Sequence, residues 1–456
     1  MNVEIHMDPS KRQKDGLLAI SVRVPDQELV YELDLPFRKL YDRFGIPDPI
    51  VLDFLLIASL CYVLDKAVPR GRGVAPDNWT REFEVAFPVS DVRVWKRVAG
   101  DFAQALGFLS GDIWRVSFVE RGEVPIFAEP ARRRRSRKTL VLKRVAASKV
   151  CLFSGGLDSL AGAIDLLSGD DSQQVLLVGH YDLAGPASQQ NNLFTGLRER
   201  YPARSELIQA RVSHKPDSAP ELTLRSRSLV FIALGIYAAR SFGNDIPLYA
   251  PENGVIAINL PLTPSRAGSC STRTMHPFFL ERLRSVLRKL GFKNPIVNPF
   301  EFKTKGECVV GCFDHALLTS LVAATCSCSH GTRRQHWVRK QVPNCGYCVP
   351  CLFRRAALHK AGLDAGWQYG VDACEGELPL DYEGESANDL RALLDFIQAR
   401  KTSEEIAGEI VSIAPVQNLS EHVAVVERGF DEVRSLLQAK AVAPIRRAAG
   451  IGVTRS

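Results

Sequence analysis

The chain has no run of 18 apolar residues, so no membrane span is expected. Its start, Met1-Asn2-Val3-Glu4-Ile5-His6, lacks a basic stretch followed by an apolar one. No secretory leader is expected from that, and a cytoplasmic setting is. There is no internal repeat. Neither sign of charge is in large excess. The net charge of +7 permits an anionic ligand without demanding nucleic acid. Eleven cysteines, an odd number gathered late in the chain, argue against a closed disulfide frame and for metal ligands and free thiols. What is present is the composition of a soluble globular protein, 46% hydrophobic and 24% charged. At 456 residues the chain exceeds one ordinary core, so two or three domains are expected.

The most informative stretch is Val150-Cys151-Leu152-Phe153-Ser154-Gly155-Gly156-Leu157-Asp158-Ser159. An apolar strand runs into a Ser-Gly-Gly turn, and a helix over Ser159 to Leu167 follows. Glycine lets the backbone turn tightly and approach a ligand closely. The helix start adds free N–H groups and a positive dipole end, which together suit phosphate. Ser154 and Ser159 supply hydroxyls, and Asp158 is placed to hold Mg2+ against phosphate oxygens. The lysine of a Walker A loop is absent.

Four regions are expected. Residues 1–130 read as an α+β unit, with strands over Leu18 to Val24, Glu82 to Phe87 and Trp114 to Glu120, and helices over Val51 to Leu64 and Val92 to Leu106. Asp91 is a plausible N-cap for the latter. No chemical motif stands out there, so partner docking or roofing of the site is its expected role. Residues 131–147 form a basic linker containing Arg132-Arg133-Arg134-Arg135-Ser136-Arg137-Lys138, either solvated or a contact for nucleic acid or an acidic protein. Residues 148–375 alternate strand and helix signals: strands over Val175 to His180, Glu206 to Val212 and Pro247 to Ala250, and helices over Ser188 to Arg200, Ser226 to Ser241 and Pro277 to Leu290, the last capped by Gly291. That alternation predicts an α/β doubly wound, mostly parallel sheet with ligands beyond the carboxyl ends of its strands. Residues 376–456 read as C-terminal helices, over Asp389 to Ala399, a short one from Ser403, and Glu421 to Lys440, with a loose tail from Ala441.

Cys345, Cys348 and Cys351 stand at C-x2-C-x2-C spacing in a turn with Gly346 and Pro350. Structural zinc takes four such ligands in a tetrahedron and leaves no open position for substrate. Cys328 is the best fourth ligand, with Cys326, His330 and His336 as rivals. An iron–sulfur cluster is the competing assignment.

The Ser-Gly-Gly-x-Asp-Ser signature resembles the PP-loop of the ATP pyrophosphatase superfamily, which splits ATP between its α- and β-phosphates. With the cysteine set it resembles the 7-cyano-7-deazaguanine synthase (QueC) family over roughly residues 148–360. Arg225-Ser226-Arg227-Ser228, Lys305-Gly306-Glu307 and Thr325-Cys326-Ser327-Cys328-Ser329 extend the likeness. The family's Gly-Tyr-Pro-Asp segment is replaced by Glu252-Asn253-Gly254, Pro261-Leu262-Thr263 and Ser271-Thr272-Arg273-Thr274-Met275-His276-Pro277. The gap from Cys328 to Cys345 is longer than in the family, and the terminal units are foreign to the tRNA-pathway enzyme. The pattern is similar to the QueC-like proteins of bacterial anti-phage operons, those of the Qat system among them.

The resemblance implies adenylation of 7-carboxy-7-deazaguanine by ATP with Mg2+, then transfer to an amine. The implied acceptor is the N-terminus of a partner protein from the same operon. Ser154, Gly155, Gly156, Leu157, Asp158 and Ser159 are assigned to ATP, with Asp158, Ser159, Arg227 and Lys305 in the chemistry; Glu252, Asn253 and Arg273, which stand where the family's segment is absent, are the candidates for the substrate. Two anions must meet, so positive charge is needed at the junction, from among Arg225, Arg227, Arg273 and Lys305. Arg225 and Arg227 read equally as surface charges on a helix start. His276 is either a base for the amine or a cap for the helix after Pro277. Glu307 has an alternative as an early-turn helix residue. Asp182 and Gln189 fall in loops facing the cleft, Asp182 as a second metal ligand or as a turn residue before Gly185-Pro186. Competing readings are a nitrile synthase using ammonia, an enzyme acting on tRNA, and a non-catalytic nucleotide-sensing subunit of a defence complex.

Overall fold

The computed structural model describes residues 2–7, 17–24, 27–45, 47–71, 77, 79–121, 147–169, 173–182, 184–215, 220–221, 223, 225–263, 273–329, 334, 337–378, 380 and 387–452. The arginine run Arg132 to Lys138, and the rival ligands His330 and His336, lie outside the described residues. No helix among the described residues is long and apolar enough to cross a membrane.

The N-terminal part runs β1 (Asn2–Met7), β2 (Leu17–Val24), β3 (Gln27–Asp34), α1 (Phe37–Phe44), α2 (Pro49–Ala67), β4 (Glu82–Val89), α3 (Val92–Lys96), α4 (Ala99–Ser110) and β5 (Ile113–Glu120). Asp48 accepts from the Ile50 amide at 2.9 Å and Pro49 opens the first turn, so α2 starts sharply. Residues 51–65 of α2 are buried all round, as an apolar helix without a polar face must be. Asp91 caps α3 as expected, accepting from Arg93 and Val94. The single helix expected over Val92 to Leu106 is two. The Val98 N–H closes a tight turn on Trp95 O at 3.0 Å, and both Trp95 and Phe102 are thereby buried.

The second part runs β6 (Lys149–Leu152), α5 (Leu157–Ser168), β7 (Val175–Tyr181), α6 (Ala184–Arg200), β8 (Ser205–Arg211), β9 (Ser213–Lys215), α7 (Arg227–Phe242), β10 (Leu248–Tyr249), α8 (Gly254–Ile258), α9 (Pro277–Lys289), β11 (Ile296–Val297), α10 (Lys305–Val310) and α11 (His315–Leu321). Its sheet is parallel throughout, in the order β11-β10-β6-β7-β8. Alternate residues feed two cores. Val150, Leu176 and Val178 pack with α7, α9 and the N-terminal part, while Cys151, Val175 and Leu177 pack with α5, α6 and α11. Both faces are therefore apolar, as expected of a parallel sheet covered by helices on each side. Strand order reverses between β6 and β10, so the loops leaving these two strands diverge and open a crevice. Gly185 and Pro186, expected in a turn, lie in the first turn of α6, where proline costs no hydrogen bond.

Among the described residues the N-terminal part has no separate core. One apolar cluster runs from Leu33 and Phe54 through Trp95 to Val150, Leu229 and Phe279. The sheets are also joined through the chain. After β8, Val212 leads directly into β9, which pairs antiparallel with β3 in the six-stranded order β5-β4-β1-β2-β3-β9.

The C-terminal part adds α12 (Val349–Lys360), α13 (Asn388–Ala399), α14 (Ser403–Ile413), α15 (Leu419–Lys440) and α16 (Ala443–Ala448). These helices share a third core with α8 and the cysteine turn. The loose tail expected from Ala441 is instead α16, docked by buried Ile445 and Ala449 and by the Val442 N–H on Cys374 O at 2.9 Å.

Candidate functional site

The turn between β6 and α5 sits at the carboxyl edge of the parallel sheet, beside the point where strand order reverses. Gly155 has φ +85°, a left-handed conformation that side chains rarely adopt, so glycine is required there. Gly156 is the N-cap of α5. The turn is tied on three sides. Ser154 Oγ lies 3.2 Å from Ser159 Oγ and accepts from the Gly156 amide at 3.3 Å, while the Ser159 hydroxyl donates to Gly156 O at 2.9 Å. The Gly155 carbonyl accepts from Gln189 Nε2 and from the Cys326 amide, both at 3.1 Å. Gln190 Nε2 reaches Ser154 O at 3.4 Å and His180 O at 3.2 Å. Gln189 was legible as a residue facing the cleft; Gln190 was not.

Asp158 gathers two distant elements. Its carboxylate accepts from Lys305 Nζ at 2.5 Å and from Asn253 Nδ2 at 2.8 Å. Asn253 also caps α8, its Oδ1 accepting from the Ile256 amide. Lys305 opens α10, whose N-terminus is a capping box of Thr304 and Glu307. Glu307 therefore takes the helix-start role, and Arg428 binds it at 2.7 Å. Glu252, one residue before Asn253, is partly buried, and among the described residues its carboxylate makes no hydrogen bond. Burial, with Asp158 nearby and Lys305 opposing, pushes this carboxyl up to about 8.

Asp158, Ser159, Lys305 and Asn253 are thus brought together with the glycine turn. Arg227 belongs to a second group, at the end of β7, which Gln190 links to the turn through His180 O and Ser154 O. Its Nε donates to His180 Nδ1 at 3.3 Å, which leaves His180 Nε2–H for Val212 O. Burial and the Arg227 charge hold His180 neutral, down at about 3. Asp182 accepts from Tyr62 Oη at 2.7 Å and Lys66 Nζ at 3.2 Å, both on α2. Against the effect of burial, the Tyr62 hydroxyl and then the Arg227 and Lys66 charges hold Asp182 below the usual carboxylate range. Tyr62 and Lys66 carried no motif and could not be read from the sequence.

Arg225 and Arg273 go to the N-terminal part. Arg225 donates to Ser110 O at 2.7 Å, and burial with neighbouring Arg70 lowers it to about 10. Arg273 donates to Phe108 O at 3.0 Å and lies over the Phe108 ring. His276 is the N-cap of α9, accepting from the Phe278 amide at 3.2 Å, and burial holds it down at about 3. A neutral nitrogen acceptor is what that cap needs.

Among the described residues, the cysteine set has one fourth ligand. The sulfurs of Cys328, Cys345, Cys348 and Cys351 all lie within 4.8 Å of one another. Cys345 and Cys351 are 3.7 Å apart, and Cys348 and Cys328 4.0 Å. Four thiolates about 2.3 Å from one tetrahedral ion stand roughly 3.8 Å apart. This group could therefore hold a single metal ion such as zinc. An iron–sulfur cluster would divide the four thiolates among two or four irons and spread them wider. Cys326 is the rival not used: its thiol points to Pro343 O at 3.4 Å and its amide to Gly155 O. The segment is further fixed by Asn344, which bonds the Ser327 amide and Thr325 O, and by Arg354 on Thr325 and Val322. The cysteine group and the glycine turn therefore meet through two residues of backbone.

Compared with known proteins, the chain matches no family model, no curated protein and no solved structure.

Proposed function

We propose that the chain is an ATP-dependent PP-loop enzyme of the QueC-like kind. It joins the α-phosphorus of ATP to a carboxylate oxygen of 7-carboxy-7-deazaguanine, releasing pyrophosphate. It then passes the acyl group to an amine, the N-terminal amine of a partner protein, releasing AMP. The observation that carries the reading is the positive-φ Gly155 turn at the strand-order reversal, with the Lys305 ammonium held 2.5 Å from Asp158 beside it. The deazaguanine ring rests on the resemblance in Ser154–Ser159, Lys305–Glu307 and the cysteine set.

Each residue has a physical task. The amides of the Gly155–Gly156 turn and the start of α5 receive phosphate oxygens. Lys305 supplies positive charge where two anions must approach, which lowers the barrier more than it aids ground-state binding. Asp158 fixes that ammonium and is the carboxylate that would hold Mg2+, whose chemistry is to neutralise phosphate charge. Asn253 orients Asp158. Glu252, a carboxyl poised near neutrality, takes the proton from the amine as its nitrogen attacks the mixed anhydride. Cys328, Cys345, Cys348 and Cys351 would hold zinc in a structural role, keeping the Cys326 amide on Gly155 O.

The test is pyrophosphate release from ATP with 7-carboxy-7-deazaguanine, alongside intact-mass measurement of co-expressed neighbour-encoded proteins. A mass gain matching a deazaguanine amide with wild type, absent with Asp158→Ala, supports the reading. ATP binding without pyrophosphate release makes the chain a nucleotide sensor instead. A free nitrile formed with ammonia makes it a small-molecule synthase.

A further inference from the structure

Lys305 reaches Asp158 only if the start of α10 is held in place, and α10 is six residues long. Helices this short are not stable by propensity alone. Something outside must fix it. The buried carboxylate of Glu432, in the middle of α15, does so. It accepts from the Thr304 hydroxyl at 2.5 Å and from the Gly306 amide at 3.2 Å, the residues on either side of Lys305. Its charge is compensated by Lys360 Nζ of α12 at 2.8 Å. The fit is close: a Cβ on Gly306 would lie 2.5 Å from Glu432 Oε1. A carboxylate against unpaired amides at a helix start is favourable in both hydrogen bonding and dipole terms. The same helix packs on α8, whose N-cap is Asn253, so α15 braces both arms that converge on Asp158.

We propose that Glu432 is a positioning residue for the nucleotide site, holding α10 so that the Lys305 ammonium stays on Asp158. The C-terminal helices are then part of the site's machinery and not an appendage. The catalytic consequence rests on the ATP-dependent reading above; the positioning itself does not.

Two readouts keep these separable. The first is hydrogen exchange by mass spectrometry on residues 303–312 in the full chain. The second is kcat and KM for pyrophosphate release. Glu432→Ala is expected to speed exchange in that segment at least tenfold, leaving α13 and the cysteine turn unchanged. It should lower kcat at least tenfold with KM for ATP changed less than threefold. Glu432→Gln covers the case in which the alanine variant does not fold. Its amide group can no longer accept on both sides, so a smaller change of the same pattern is expected. Glu432→Asp should restore part of kcat. Exchange that is unchanged in 303–312, or that rises evenly across the chain, overturns the proposal. If wild type releases no pyrophosphate, the functional reading fails and the exchange result alone decides the positioning.

Discussion

Lys305 and Asp158 are 147 residues apart in sequence and 2.5 Å apart in space, and each is largely buried. Removing one partner of such a pair leaves an uncompensated charge, which costs about 3 kcal/mol or more. Lys305→Met is therefore expected to be less stable than the double substitution Lys305→Met with Asp158→Asn. Denaturant unfolding of the three proteins checks this. A single variant as stable as the double one would show that the pair is solvated.

Gly155→Ala places a side chain at φ +85°, a strain of ~1–2 kcal/mol. The new Cβ would stand 3.4 Å from Gln189, an ordinary contact, so the backbone strain and not a clash is what perturbs the turn. A modest fall in Tm with at least a tenfold weaker Kd for ATP is expected from thermal unfolding and calorimetric titration. Unaltered ATP affinity would remove the turn from the binding site.

The cysteine set should carry about one tetrahedral ion per chain. Cys328→Ser should lose it and Cys326→Ser should keep it, read by metal analysis of the purified proteins. Because Cys326 bonds Gly155 O two residues from Cys328, stripping the ion with a chelator is expected to weaken ATP binding as well as stability. ATP binding that survives full metal removal would break that link.

Glu252 fixes a pH dependence. A carboxyl acts as a base when ionised, so kcat/KM should rise with pH through about 8, and Glu252→Gln should flatten that limb. The stability effect has the opposite sign. The folded chain binds the proton more tightly than the unfolded one, whose carboxyl titrates near 4.5. The contribution to stability is thus full below that value and is lost as pH rises towards 8. Glu252→Gln should match wild type in Tm near pH 4 and exceed it at pH 9.

What the sequence made legible was local. The apolar run Val150 to Phe153 meeting Ser154-Gly155-Gly156 carries strand, turn and helix start in the ten residues to Ser159, and the parallel α/β sheet follows from repeating that pattern. Cys345, Cys348 and Cys351 announce themselves by spacing. The partners of the site did not. Tyr62 and Lys66 lie on a helix that reads as plain core, and Glu432 reads as an ordinary exposed position on a long amphipathic helix. Their roles come from packing between elements far apart in sequence, for which no periodicity exists. Arg225 and Arg273 illustrate the converse. Their charge suited phosphate, but the N-terminal part offered the buried carbonyls of Ser110 and Phe108, and burial there is repaid by hydrogen bonds.

The crossing at Val212 makes the two sheets one mechanical body. β9 is the continuation of β8, and β3 is its pairing neighbour. A shortened chain beginning near residue 147 would strip β9 of its ladder and bare the apolar underside of α7. Such a fragment would present a raw strand edge to its own copies and clump before it could be assayed. Attempts to dissect the proposed chemistry should therefore silence single side chains and leave the amino-terminal part attached.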